Sequence, residues 1–80
     1  MLQETDVLDA LTHNAVKVMP ELQPADLVTD TSLADLGCNS IDRADIVSMT
    51  MDELGVVVPV TELYSGQRIG ELVELFLKYS

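Results

Sequence analysis

The sequence predicts an all-α fold: a small four-helix bundle of three main helices and one short helix, with a long first loop. Three observations predict it. Apolar residues recur at helical spacing in three separate runs. Pro20, Pro24, Gly55 and Gly66 stand where those runs must stop. The one stretch of strand-like composition, "VVVPV", is short, isolated and interrupted by Pro59, so it cannot build a sheet.

The elements follow in order. Thr5 is placed to cap the first helix, with Asp6 and Asp9 near its positive end. Val7, Leu8, Leu11, Ala15 and Val18 recur on one face, and Pro20 and Pro24 end the run. From Pro20 to Asn39 the chain reads as a long connection. A compact domain rarely tolerates so long a loop unpinned. Leu27, Val28, Leu33 and Leu36 are the residues expected to pin it, and "TDTSLADLG" is expected to add one helical turn that Gly37 ends. The second helix should run from about Ser40 to Leu54, with Gly55 as its stop. An extended linker then buries Val56 or Val58. Residues 60 to 65 make a short helical turn, and Gly66 separates it from a last helix, about Gln67 to Tyr79. Its stripe is Ile69, Leu72, Val73, Phe76 and Tyr79. The expected common core holds Leu11, Ile46, Val47, Leu54, Ile69, Leu72 and Val73.

Eighty residues make a single domain, 1–80, with a compact core. Without Trp, and with aromatics at 4%, Leu, Val, Ile and Met must do the packing. The 14 acids against 4 bases give a formal net charge of −10. Such a chain repels nucleic acid and anionic membranes and attracts basic protein surfaces. One cysteine, Cys38, excludes an internal disulfide and a multi-cysteine zinc site, and it fits a reducing compartment. The first residues lack a signal peptide's basic head and apolar run. A soluble, cytoplasmic, monomeric protein is expected.

The most informative stretch is "LADLGCNSIDRADIV". On the second helix, Ile46, Val47, Thr50 and Leu54 form the core stripe, with Met51 at its edge. Ile41, Asp45, Ser48 and Asp52 lie opposite, with Ala44 at the rim. Ile41 therefore suits a partner, or else tucks under the loop against Leu36; spacing does not separate these readings. A serine at a helix start is usually only a cap. Here Asn39, followed three residues later by Asp42, resembles a capping pair that makes Ser40 the first helical residue with a free hydroxyl. A helix N-terminus also accommodates a phosphate. A phosphodiester attached to Ser40 suits this site.

Catalysis by the chain itself lacks its parts. His13 is alone and expected on the exposed side of the first helix. Arg43 cannot serve as a base. A serine without a base is a weak nucleophile, and Cys38 reads as a small buried hydrophobe. The nearest thing to a calcium loop starts at Asp30. It has Asp35 where glycine is required and Ile41 where a bidentate glutamate is required, so no metal site is expected.

The segment Asp35-Leu36-Gly37-Cys38-Asn39-Ser40-Ile41 resembles the signature of the acyl carrier proteins of fatty acid and polyketide synthesis. The resemblance extends over nearly the whole chain. It takes in the acidic second helix, Pro59, the short third helix and "QRIGELVELF". One position departs: the usual Asp before the serine is Asn39, which removes one charge and keeps the capping ability. The resemblance implies a 4'-phosphopantetheine arm on Ser40, installed from coenzyme A by a phosphopantetheinyl transferase. It also implies a partner-reading surface of Asn39, Ile41, Asp42, Ala44, Asp45, Ser48 and Asp52. "NSIDRADIVSMTMDELG" further resembles carriers of the β-branching cassettes beside modular polyketide synthases. There the implied partners are an acyltransferase, a ketosynthase-like decarboxylase and a hydroxymethylglutaryl-CoA-synthase-like enzyme, which takes acetyl made from carrier-bound malonyl. The start at Met1 fits a freestanding protein of this kind, and equally a domain excised from a larger synthase. The chain would be a carrier rather than an enzyme. A fatty-acid or generic type II polyketide carrier is the alternative in the same class, and an acidic helical adaptor the alternative outside it.

Overall fold

In the computed structural model, which describes all residues from Met1 to Ser80, three helices pack around one apolar core. They are α1 (Glu4–Val18), α2 (Ser40–Leu54) and α3 (Ile69–Lys78). Two 3-10 turns, Pro24–Asp26 and Val60–Glu62, lie in the connections, and no strand forms. The second turn is the short helix expected between Pro59 and Gly66. The first was not anticipated, although Pro24 at its opening position presets the needed φ.

Val7, Leu11, Ala15, Ile46, Ile69 and Phe76 are fully or almost fully buried, and they join α1, α2 and α3. Thr50 is buried among them. Its hydroxyl donates to Ile46 O at 2.8 Å and accepts from Asn14 Nδ2 at 2.9 Å, so the α1–α2 contact contains a satisfied polar pair. Six of the seven expected core residues are buried. The seventh, Leu54, is half-buried: it sits at the last position of α2, where the chain leaves the core through Gly55. Tyr79, placed on the α3 stripe by spacing, lies just past the helix and is exposed, with its hydroxyl donating to Glu62.

The long loop is held at several points. Leu22, Leu27 and Leu33 are buried and Leu36 packs on the core, but Val28 is 53% exposed and pins nothing. Val28 falls in a tight turn, where Thr31 N–H bonds to its carbonyl, and the turn directs its side chain outward. The 32–37 segment makes turns without becoming a helix, and Gly37 closes it at φ +96°. The main chain supplies the firmest tie. Ile69 N–H donates to Thr31 O at 2.8 Å, and Gly70 N–H donates to Thr29 O at 3.1 Å. Loop carbonyls thus satisfy the free N–H groups that open α3.

The cap on α1 differs from expectation. The helix begins at Glu4, one residue before Thr5, and Asp6 takes the capping role by accepting Gln3 N–H at 2.8 Å. In the 55–60 linker, Val56 and Val58 are both buried while Val57 points out, as extended backbone requires. Met51 Sδ accepts Val58 N–H at 3.2 Å and so fastens this linker to α2.

Ile46 has no exposed surface. Ile46→Ala should cost about 2–5 kcal/mol, a large share of a small domain's stability. Urea unfolding measures this; a midpoint left nearly in place would mean that the core face of α2 is wrongly assigned.

Candidate functional site

The site is built at the start of α2. Asn39 Oδ1 accepts Asp42 N–H at 2.8 Å, and Asp42 Oδ2 accepts Asn39 N–H at 3.1 Å. This reciprocal pair completes the cap, so the exposed Ser40 hydroxyl is spare. Arg43, one turn on, sends a guanidinium nitrogen to Cys38 O at 2.9 Å. Asp42 and Arg43 thus hold the N–H and the C=O of the single Cys38–Asn39 peptide.

The seven residues expected to face partners run from Asn39 to Asp52 along α2, and none of them is buried. Ile41 is 70% exposed, which excludes the reading that tucks it under the loop. Asn39, Ala44, Asp45, Ser48 and Asp52 are exposed, and Asp42 is half-buried because its carboxylate serves the cap. Cys38 is buried, its Sγ 3.1 Å from Met19 Sδ. Burial first, then the negative charge of Asp42, pushes its thiol pKa up, so Cys38 is held as the unreactive thiol. His13 is exposed on α1, and no group of three or more His, Cys, Asp or Glu could hold a metal.

A groove that no periodicity announces opens beside Ser40. It has a volume of about 600 Å³ and runs between α2 and the 60–65 segment. Val47, Met51, Val60, Leu63 and Leu72 make its lining largely apolar, and Ser40, Arg43 and Tyr64 stand among its polar residues. Its wall is clamped to α3. Tyr64 Oη donates to Glu71 Oε2 at 2.6 Å, while Glu71 Oε1 accepts Arg68 N–H at 3.0 Å. Gln67 Nε2 donates to Glu62 O at 3.2 Å. The sequence shows only that Val60, Leu63 and Tyr64 lie close together between Pro59 and Gly66; the tertiary fold alone brings them to α2.

These residues fit an arm attached at Ser40: a spare hydroxyl, a cation beside it, and an apolar recess at its side. Residues 13–76 match the family model for the "Phosphopantetheine attachment site". The chain belongs to the phosphopantetheine-bearing acyl carrier proteins. Its relatives sharpen the placement. The "Polyketide biosynthesis acyl-carrier-protein AcpK" of Bacillus subtilis (strain 168) is 35% identical over 69 residues, covering 86% of this chain and 84% of that protein. The "Highly reducing polyketide synthase aurA" of Calcarisporium arbuscula is 33% identical over 66 residues, 82% of this chain but 3% of that enzyme. The likeness to aurA is thus to one small segment. A chain in the crystal structure of the curacin biosynthetic pathway HMG synthase in complex with its acetyl donor carrier superposes with a TM-score of 0.80 at 35% identity. The match covers 94% of this chain and 96% of that one, so the matched chain is the carrier. This acyl carrier protein therefore has 4'-phosphopantetheine as its cofactor and polyketide carriers as its kin. No helix in it is long and apolar enough to cross a membrane.

The Tyr64–Glu71 bond has a pH signature. It raises the Tyr64 pKa above 10.0 and lowers the Glu71 pKa below 4.5. The Glu71 contribution is present above its unfolded value and fades as pH falls through the depressed folded value. The Tyr64 contribution is present below its unfolded value and fades as pH rises through the raised one. Tyr64→Phe should move the Glu71 titration upward in a carboxyl NMR experiment. An unmoved Glu71 curve would mean that this clamp is absent in solution.

Proposed function

We propose that Ser40 is the attachment residue and that residues 1–80 form one carrier domain, cytoplasmic and monomeric, that is a substrate of enzymes and not itself one. The observation that carries this reading is the exposed Ser40 hydroxyl. It is relieved of capping by Asn39 and Asp42 and stands at the mouth of an apolar groove. No base adjoins it, which suits a serine modified by another enzyme: a phosphopantetheinyl transferase using coenzyme A. When bound, the arm supplies a terminal thiol that holds acyl groups as thioesters. The chain's own residues orient that attachment and present it to partners.

The polyketide relatives and the acetyl donor complex favour a donor role in β-branching over a fatty-acid role. The carrier would receive malonyl from an acyltransferase, lose carbon dioxide with a ketosynthase-like decarboxylase, and give acetyl to a hydroxymethylglutaryl-CoA-synthase-like enzyme. Ile41, exposed beside Ser40, is the apolar anchor. Asp45 and Asp52, with Ser48 between them, make an acidic stripe that steers a basic partner.

Incubation with coenzyme A, magnesium and a broad-specificity transferase should add one phosphopantetheine to the intact mass. Ser40→Ala should stay folded and gain none. An unmodified wild type, where a control carrier is converted, would remove the reading.

Recognition separates from stability at Ile41. Ile41→Ala should change stability by no more than about 0.5 kcal/mol yet weaken partner binding by over about 1 kcal/mol. Asp45→Lys should instead slow association and flatten its salt dependence. Thermal unfolding and the acyl-transfer rate measure both. Loss of folding in Ile41→Ala with normal transfer per folded molecule would return Ile41 to the core.

A further inference from the structure

Arg43 is the one cation lining the groove at Ser40. Residues 40 and 43 lie one turn apart on α2, so their side chains are neighbours on one face. Arg43 is half-buried, and its bond to Cys38 O fixes the guanidinium against the loop that leads into Ser40. The protein's one ion pair is Lys78–Glu62, so no carboxylate lies within 4.0 Å of Arg43. In a chain with 14 acids and 4 bases this is unexpected. The acids nearest in sequence are otherwise placed: Asp42 is turned to the cap, and Asp45 is exposed. Glu21 acts with Asp42 on Cys38 from across the loop, but forms no pair with Arg43. A guanidinium carries five N–H donors, and the single bond to Cys38 leaves most of them free.

We infer that Arg43 is a positioning residue for the phosphodiester that would join the arm to Ser40. This rests on the attachment at Ser40 proposed above. The phosphodiester places one more negative charge on an already acidic chain, next to Asp42. Arg43 offsets that charge at the point where it arises, and the donors left free by Cys38 suit phosphate oxygens. Its main-chain anchor sets where the guanidinium stands before any arm is attached. A carboxylate partner would have neutralised it; a carbonyl leaves its charge available.

The test uses the full chain as wild type, Arg43→Gln and Arg43→Lys, each converted with coenzyme A and checked by intact mass. Failure of the wild type to gain mass would defeat the Ser40 reading and is distinguishable from failure here. The phosphorus NMR resonance of the phosphodiester is then followed from about 0.01 M to about 1 M salt, where the Debye length falls from roughly 30 Å to 3 Å. The reference position is the same protein unfolded in urea. In the wild type the resonance should start displaced and move toward the reference as salt rises. In Arg43→Gln the displacement and its salt dependence should fall roughly 2- to 5-fold, the range that loss of an exposed ion pair supports. Arg43→Lys should restore part of the displacement and its salt dependence. Identical profiles in wild type and Arg43→Gln would overturn the inference. Should Arg43→Gln fail to fold, the wild-type Arg43 guanidinium nitrogen resonances decide: movement between apo and holo protein supports the role, and none overturns it.

Discussion

The reciprocal cap between Asn39 and Asp42 is the constraint on which the functional surface depends. It fixes the first residue of α2, and the phase of a helix follows from its first residue. With Ser40 at the start, Ile46, Val47 and Thr50 turn inward, and Ile41 and Asp45 turn out. Arg43 then falls one turn below Ser40, on the groove side. A start shifted by one residue would rotate these positions by about 100° and bury the wrong set. The asparagine at 39 keeps this geometry because its amide oxygen accepts the same hydrogen bond that a carboxylate would.

The second requirement is a fixed wall opposite α2. The 60–65 segment has little regular structure of its own, and its stability is borrowed from α3. Glu71 both caps α3 through Arg68 N–H and holds the Tyr64 hydroxyl, so the helix start and the groove wall share one carboxylate. The long loop is tied to the same helix end from the other side, through Thr29 and Thr31 carbonyls. A methyl added at Gly70 would meet Thr29 atoms at 3.3 Å, tighter than ordinary contact, so glycine eases this close approach. The opening turn of α3 is thus where loop, groove wall and helix are joined.

Much of this was legible in the sequence, and what was not has physical causes. The bounds of α2 could be read because both ends are chemically marked, by Asn39 with Asp42 and by Gly55 in the left-handed conformation. At α1 the competing signals Gln3, Glu4, Thr5 and Asp6 are adjacent, and the carboxylate that reaches back three residues outcompetes the threonine hydroxyl. Val28 failed as a loop anchor because a turn, not a helical or strand period, sets its direction, and turns carry no periodic signal. The groove was invisible for a different reason. Leu33, Val47, Val60 and Leu72 meet only after three connections have folded.

The charge distribution adds a last step. Under the proposed function, chain-wide acidity would draw basic partners from a distance, since steering responds to the summed field. It does not explain how a phosphodiester, under the proposed function, would be tolerated at the start of α2, beside Asp42. An evenly acidic surface would repel it, and a surface ion pair at Arg43 would have cancelled the needed charge. Assigning the cap to Asp42 and the anchor of Arg43 to a neutral carbonyl resolves both demands. Asp45 and Asp52 remain exposed, while one positive group stands on the same helical turn as the Ser40 hydroxyl. Neighbouring residues of a single helical turn thereby serve opposite electrostatic purposes without neutralising each other.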